Sequence, residues 1–161
     1  MVLGVKRVDL GTESAIERIC RDHGPRLWRS LTAFTGDPDV ASDAVAEAFA
    51  QALRRGEELQ DPLAWIWRVS YRIASGELKR RGSLRSGLPD VAAPAETRAV
   101  EMVDLLRGLP MNQRAALVLR YYADLPAADV AALMGVSAAT VRVHLHRARK
   151  RLKKLLEDDH G

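Results

Sequence analysis

With 161 residues, 47% of them hydrophobic, the chain has enough apolar material for one ordinary domain or two small ones, which excludes a disordered polypeptide. Aromatic residues make up 5%, so the expected core is aliphatic and alanine-rich, as in small helical bundles, and a formal charge of +4 points weakly to an anionic partner. The lone Cys20 excludes an internal disulfide, and no apolar run is long enough for a signal peptide or a membrane span, so a cytoplasmic protein without membrane association is expected.

Apolar periodicity is helical throughout, without a convincing strand pattern. Thr12 can cap a first helix beginning "ESAIERICRDH", which Pro25 restarts or bends into "PRLWRSLTAF". Cys20 precedes His23 on one face of this helix, but no second pair completes a tetrahedral site, so a core thiol and no metal are expected. In "TGDPD", Asp37 caps a second helix with Pro38 at its first position, running to Arg55 and stopping at Gly56. Asp61 and Pro62 open a third helix that continues to about Arg81, where Gly82 ends it. The stretch "GSLRSGLPDVAAPAE" lacks apolar periodicity and reads as a flexible linker. Beyond it, "TRAVEMVDLLRGL" and "PMNQRAALVLRYYA" are two further helices. The expected fold class is all-α: two small helical domains, residues 12–82 and 96–157, joined by a flexible linker at 83–95.

Two helices of the first half carry distinctive faces. On the second helix, Ala41, Val45, Phe49 and Ala52 form the expected buried stripe, while Asp39, Asp43 and Glu47 lie opposite, with Ala46 and Ala50 between and beyond them. Such a flat acidic face suits reception of another protein; the alternative is ordinary surface charge. The third helix is expected to bury Ile66, Val69, Ser70 and Ile73, leaving Arg68, Arg72 and Lys79 on an outward stripe with Trp65 at one edge and Trp67 and Tyr71 at the other. Cations beside aromatics suit single-stranded nucleic acid, because phosphates meet the charges while unstacked bases stack on rings. For each tryptophan the alternative is core packing.

The segment "GVSAATVRVHLHRARKRLKKLL" contains no acidic residue. Val141, Leu145, Ala148 and Leu152 share one helical face, and Ala139, Val143, His146, Arg147, Lys150 and Lys154 share the other, flanked by Thr140 and Arg142. Small uncharged residues crowd the first turns and cations follow, a sorting that a merely solvated face does not need. Ser137 is a good N-cap, Gly135 suits the end of a preceding helix, and "PAADVAALM" supplies that helix. Together these form a helix-turn-helix, whose recognition helix enters the major groove with short side chains near base edges and cations reaching phosphates.

From about Ile16 to Leu156 the chain resembles the bacterial sigma factors of the extracytoplasmic-function group, in their two-domain form. "LPMNQRAALVLRYYADLPAADVAALMGVSAATVRVHLHRARKRL" is similar to the domain that reads the minus-35 promoter element, with "LHRAR" characteristic. "LTAFTGDPDVASDAVAEAFAQAL" resembles the helix that docks on core RNA polymerase: Asp43, Val45, Glu47 and Phe49 match the family's D-x-V-Q-E-x-F, with Ala46 in place of glutamine. "AWIWRVSYRIASGELKRR" resembles the segment that captures and melts the minus-ten element, with Trp65, Lys79, Arg80 and Arg81 in register, Arg72 in place of the usual asparagine and Gly76 in place of the usual aspartate.

The resemblance implies two partners, core RNA polymerase and promoter DNA as upstream duplex and opened minus-ten strand, with an anti-sigma protein as a further candidate. Helix faces and resemblance together give Ser137, Ala139, Thr140, Arg142, Val143, His146, Arg147 and Lys150 as candidates for duplex contact, Trp65, Arg68, Arg72, Lys79, Arg80 and Arg81 for the opened strand, and Asp39, Asp43, Ala46, Glu47 and Ala50 for polymerase. A LuxR-type regulator is the alternative, since "TVRVHL" fits its helix-turn-helix; "HRARKRL" and the acidic and basic faces of the first half do not belong to it. No enzyme and no cofactor are expected: His144 and His146 sit at a spacing that sends them to different sides of a helix, and no phosphate-cradling glycine loop is present.

Overall fold

The computed structural model describes residues 14–84 and 103–160, and every regular element in them is helical. The first group comprises α1 (Ala15–Thr35), α2 (Pro38–Arg55), a 3-10 turn (Gly56–Glu58) and α3 (Pro62–Leu84). The second comprises a helical stretch at 103–107, α4 (Met111–Leu117) continuing into a π turn (Val118–Tyr122), α5 (Ala127–Met134) and α6 (Ala138–His160).

Local chemistry explains the boundaries. Ser14 caps α1 by accepting the Glu17 N–H at 3.1 Å, two positions after the expected Thr12, which lies outside the described residues. Pro25 neither breaks nor restarts α1, which is one helix of 21 residues. The proline is exposed, so water can satisfy the carbonyl its missing N–H leaves behind. Gly36 ends α1 at φ 71° and returns its N–H to Thr32 O at 2.8 Å. Asp37 Oδ1 accepts the N–H groups of Asp39 and Val40 at 2.9 and 3.3 Å, so α2 begins where Pro38 predicts. α3 runs through Gly82 to Leu84, two residues into the stretch read as linker; the remainder of that stretch, with 96–102, lies outside the described residues.

α2 is the centre of the first group. Ala41, Ala44, Ala48 and Ala52 have no exposed surface, and their small side chains let α1 and α3 approach closely on either side. Val45, expected in this stripe, is half-buried, while Val40 and Phe49 are buried beside the alanines. On α3 the buried face is turned from the expected one: Ile66, Trp67, Ser70, Tyr71 and Ala74 are inside, whereas Val69 and Ile73 are half-buried. Tyr71 packs on Phe34 of α1 with ring centroids 5.2 Å apart, and the buried Ser70 hydroxyl donates to Ile66 O at 2.7 Å. Cys20 is exposed, which corrects its expected place in the core: although it is in line with the buried Ile16 and Leu27, the thiol faces solvent.

In the second group Leu106, Leu119, Val130, Val141 and Ala148 are fully buried. The two groups also meet. Arg107 donates to Gly36 O at 2.6 Å, the Arg114 guanidinium stands 5.7 Å from the centroid of the Phe34 ring, and the exposed side chains of Arg26 and Asp124 approach to 3.9 Å.

Asp37 joins the ends of the first group, because its second carboxylate oxygen takes the Arg81 guanidinium at 2.6 Å. Partial burial alone raises this carboxyl's pKa, but the Arg81 hydrogen bond and the two helix N–H groups outweigh it and hold the pKa below the ordinary 3.8. A lowered folded-state pKa adds stability that is present above 3.8 and is lost as pH falls through the folded value. Asp37→Ala is expected to destabilise the chain by about 2 kcal/mol at neutral pH, combining a lost cap and a lost ion pair. Urea unfolding of both proteins across pH checks this: the difference should persist from neutral pH to about pH 5 and shrink on acidification below the ordinary carboxylate value.

Candidate functional site

α5 and α6 are bent by 98° about the turn at Gly135, which adopts φ 70° and donates to Ala131 O. This is the crossing of a helix-turn-helix. Val141, Leu145 and Ala148 are buried and Leu152 half-buried, so α6 presents its opposite face outward. Ala139, Arg142, Val143, His146, Arg147 and Lys150 are all exposed, and Thr140 is half-buried. Val143 displays 46% of its surface in the second turn, an apolar group on the outward face. Ser137 is engaged in capping: its hydroxyl accepts Thr140 N–H at 3.1 Å and lies 2.9 Å from the Thr140 hydroxyl. His144 is half-buried while His146 is exposed, so the two imidazoles diverge.

Two residues beside this face were not legible in the sequence. Arg149 hydrogen-bonds the Tyr121 hydroxyl and stands 5.3 Å from its ring centroid, with Arg120 at 5.6 Å from the same ring. The π turn displays Tyr121, and only the tertiary arrangement brings it to Arg149.

On α2, Asp39, Asp43, Ala46 and Glu47 are exposed and Ala50 is half-buried. Glu47 accepts from Gln51 at 2.8 Å and lies 3.5 Å from Arg54, leaving Asp39 and Asp43 as the acidic groups at the other end. The face is broader than the sequence indicated. Leu53 is 55% exposed and continues the line of Ala46 and Ala50 at helical spacing, and Trp28 of α1 is held against the face by its indole N–H, which donates to Ser42 Oγ at 2.9 Å. A helical wheel finds Leu53; Trp28 comes from another helix.

On α3, Arg68, Arg72, Lys79 and Arg80 are exposed. Trp65 is half-buried under the Arg55 guanidinium, 5.4 Å from the ring centroid, and keeps an accessible edge. Trp67 and Tyr71 are buried and belong to the core. Arg80 is bound to Glu77 at 3.0 and 2.5 Å, and Arg81 turns inward to Asp37 and Glu77, where it fastens α3 to the start of α2. The Arg80 hydrogen bond, with Arg81 adding to it, outweighs burial and holds the Glu77 carboxyl below its ordinary pKa. Among the described residues no cluster of His, Cys, Asp and Glu is placed to hold a metal ion, and no single helix is long and apolar enough to cross a membrane.

Three outward faces thus stand on three helices: acidic on α2, basic with an aromatic on α3, and basic on α6. A family model for sigma-70, region 4 matches residues 99–152, which take in α4, α5 and most of α6. The RNA polymerase sigma-E factor of Streptomyces antibioticus is 31% identical over 153 residues, 88% of this chain and 84% of that one. The ECF RNA polymerase sigma factor SigL of Mycobacterium tuberculosis is 29% identical over 163 residues, 91% of this chain and 92% of that one. The sigma factor RpoE of Bartonella quintana, solved in complex with the anti-sigma factor NepR, shares the fold with a TM-score of 0.71 at 21% identity, covering 83% of this chain and 91% of that one. Because the identity runs through both helix groups, the chain belongs to the extracytoplasmic-function group of the sigma-70 family of RNA polymerase sigma factors.

Proposed function

We propose that the chain works as three surfaces on two domains, residues 12–82 and 96–157 with 83–95 between them: α2 docks on core RNA polymerase, α6 reads the minus-35 duplex, and α3 holds the opened minus-ten strand. The observation that supports this most is the outward position of all three faces at once, with the acidic one separate from the basic two. A LuxR-type regulator has no use for an acidic alanine face backed by a buried alanine seam. The work is binding and positioning, carried out where polymerase and promoter are, in the cytoplasm, and it requires no cofactor and no catalytic side chain. By analogy with the Bartonella relative, an anti-sigma protein is a natural further partner.

On α3, Arg68 and Arg72 supply charge beside the accessible edge of Trp65, and Lys79 and Arg80 extend the stripe. The guanidinium of Arg72 pairs with phosphate or stacks, whereas an amide there would read a base edge, so base preference in the minus-ten element is loose. Arg81 acts through the fold, by its bond to Asp37.

Reversing Asp43 and Glu47 to lysine should abolish co-purification with core polymerase while leaving helicity intact, because both side chains are exposed. Retained co-purification would remove α2 from the interface. On α6, Arg142→Ala is expected to cost about 1 to 3 kcal/mol and to relax specificity at one promoter position. Arg147→Ala and Lys150→Ala should weaken all sequences alike and flatten the salt dependence. Binding titrations on promoter variants at several salt concentrations separate the two classes; uniform weakening by Arg142→Ala would move it to the phosphates.

A further inference from the structure

Stacking a base needs a face, and Trp65 presents an edge. Trp65, Arg72 and Gly76 follow one another along α3 at i, i+7 and i+11, which puts the indole on the line of the outward cations. Even so, Trp65 is half-buried and packs against the core, and the Arg55 guanidinium stands over its ring, 5.4 Å from the centroid. The core and Arg55 between them take the indole surface that a base would need.

Arg55 is the last residue of α2 and is exposed. Its neighbour Arg54 lies 3.5 Å from Glu47, whereas among the described residues Arg55 has the indole as its partner and no carboxylate at ion-pair distance. A guanidinium is planar and weakly hydrated, so one laid on a ring keeps an outer face that bases stack on as they do on aromatic side chains. Seating on the indole also orders that plane in advance. Further along the same line Gly76 is exposed, and a Cβ there would meet open space, so nothing from that position obstructs a strand running from Arg55 past Arg72.

We infer that Arg55, laid on Trp65, is the stacking platform for a base of the opened minus-ten strand: indole, guanidinium and base form three layers, with Arg68 and Arg72 taking phosphates beside them. The platform rests on the assignment of α3 to the opened strand. It gives α2 a second duty, because the helix whose outer face is assigned to polymerase ends in a residue of the nucleic-acid face. Arg55 works here as a plane, and every base has a face to lay on it, so the contact holds the strand without reading its sequence.

The test separates plane from charge. Wild type, Arg55→Lys, Arg55→Ala, Trp65→Ala and Arg72→Ala are each assembled with core polymerase on a promoter that carries 2-aminopurine at one position at a time along the minus-ten strand. Fluorescence reports stacking of that base, and permanganate reactivity reports opening, at several salt concentrations. Wild type should show a quenched position within the opened strand. Arg55→Lys, which keeps the charge and loses the plane, should lose that quenching and open at least about fivefold less, the low end for one stacked base, with core binding and salt dependence unchanged. Arg55→Ala should open no better than Arg55→Lys, and Trp65→Ala should remove the quenching by taking away the seat. Normal opening by Arg55→Lys overturns the platform in favour of a phosphate contact. Equal or better opening by Arg55→Ala overturns it in favour of an arginine that merely covers the ring, and so does the absence of any quenched position in wild type. If Arg72→Ala weakens opening while both Arg55 variants open normally, the platform alone falls. If Arg72→Ala, Trp65→Ala and Arg55→Ala all open normally, the assignment of α3 falls and takes the platform with it.

Discussion

Everything outward on this protein depends on how closely α1 and α3 can approach α2. Few large side chains are available to fill a core, and the chain meets that constraint with four fully buried alanines at 41, 44, 48 and 52. Small side chains bring backbones near and convert poor bulk into close packing, so that each helix has one committed inner face. The outer face of α2 is thereby fixed, with Asp39 and Asp43 toward its start and the Ala46, Ala50 and Leu53 strip running on from them. The bond of Arg81 to Asp37 then fixes the direction in which α3 leaves α2, and with it the line of Arg68, Arg72 and Lys79.

What the sequence discloses and what it hides follow the range of the forces. Features set within a few residues were legible: Asp37 with Pro38, the left-handed Gly135, the Ser137 cap and the sorted faces of α6. Each is a local hydrogen bond or a periodicity, and each needs no knowledge of the rest of the chain. Features set by contact between distant helices were not. The burial of Trp67 and Tyr71 instead of Val69 and Ile73 is decided by Phe34 across the bundle, which takes the Tyr71 ring as a partner. The general habits of cysteine predict a core place for Cys20, and it lies in line with the buried Ile16 and Leu27, yet it is exposed: periodicity does not say how far along α1 the neighbouring helices reach. Arg81 reads as one more cation in a basic run until Asp37 is brought beside it by the turn of the chain. Arg114 is the extreme case: nothing in "NQRAAL" announces a buried guanidinium, because the ring that covers it lies in the other half of the molecule.

The same distinction separates the two kinds of charge here. Cations on α3 and α6 stand in solvent, where they gain from an anionic ligand without having been desolvated in advance. Arg114, at the contact between the helix groups, is already desolvated against the Phe34 ring.

The central claim is that these faces act together with polymerase, and start-site mapping tests it most directly. Purified chain and core RNA polymerase free of any other sigma factor are incubated on a library of genomic fragments, and transcript starts are sequenced. A sigma factor built as described predicts discrete starts that depend on the added chain and lie downstream of two shared elements at a constant separation. Core polymerase that stays silent with this chain, while the chain binds duplex and alters initiation solely by a holoenzyme already complete, would contradict it.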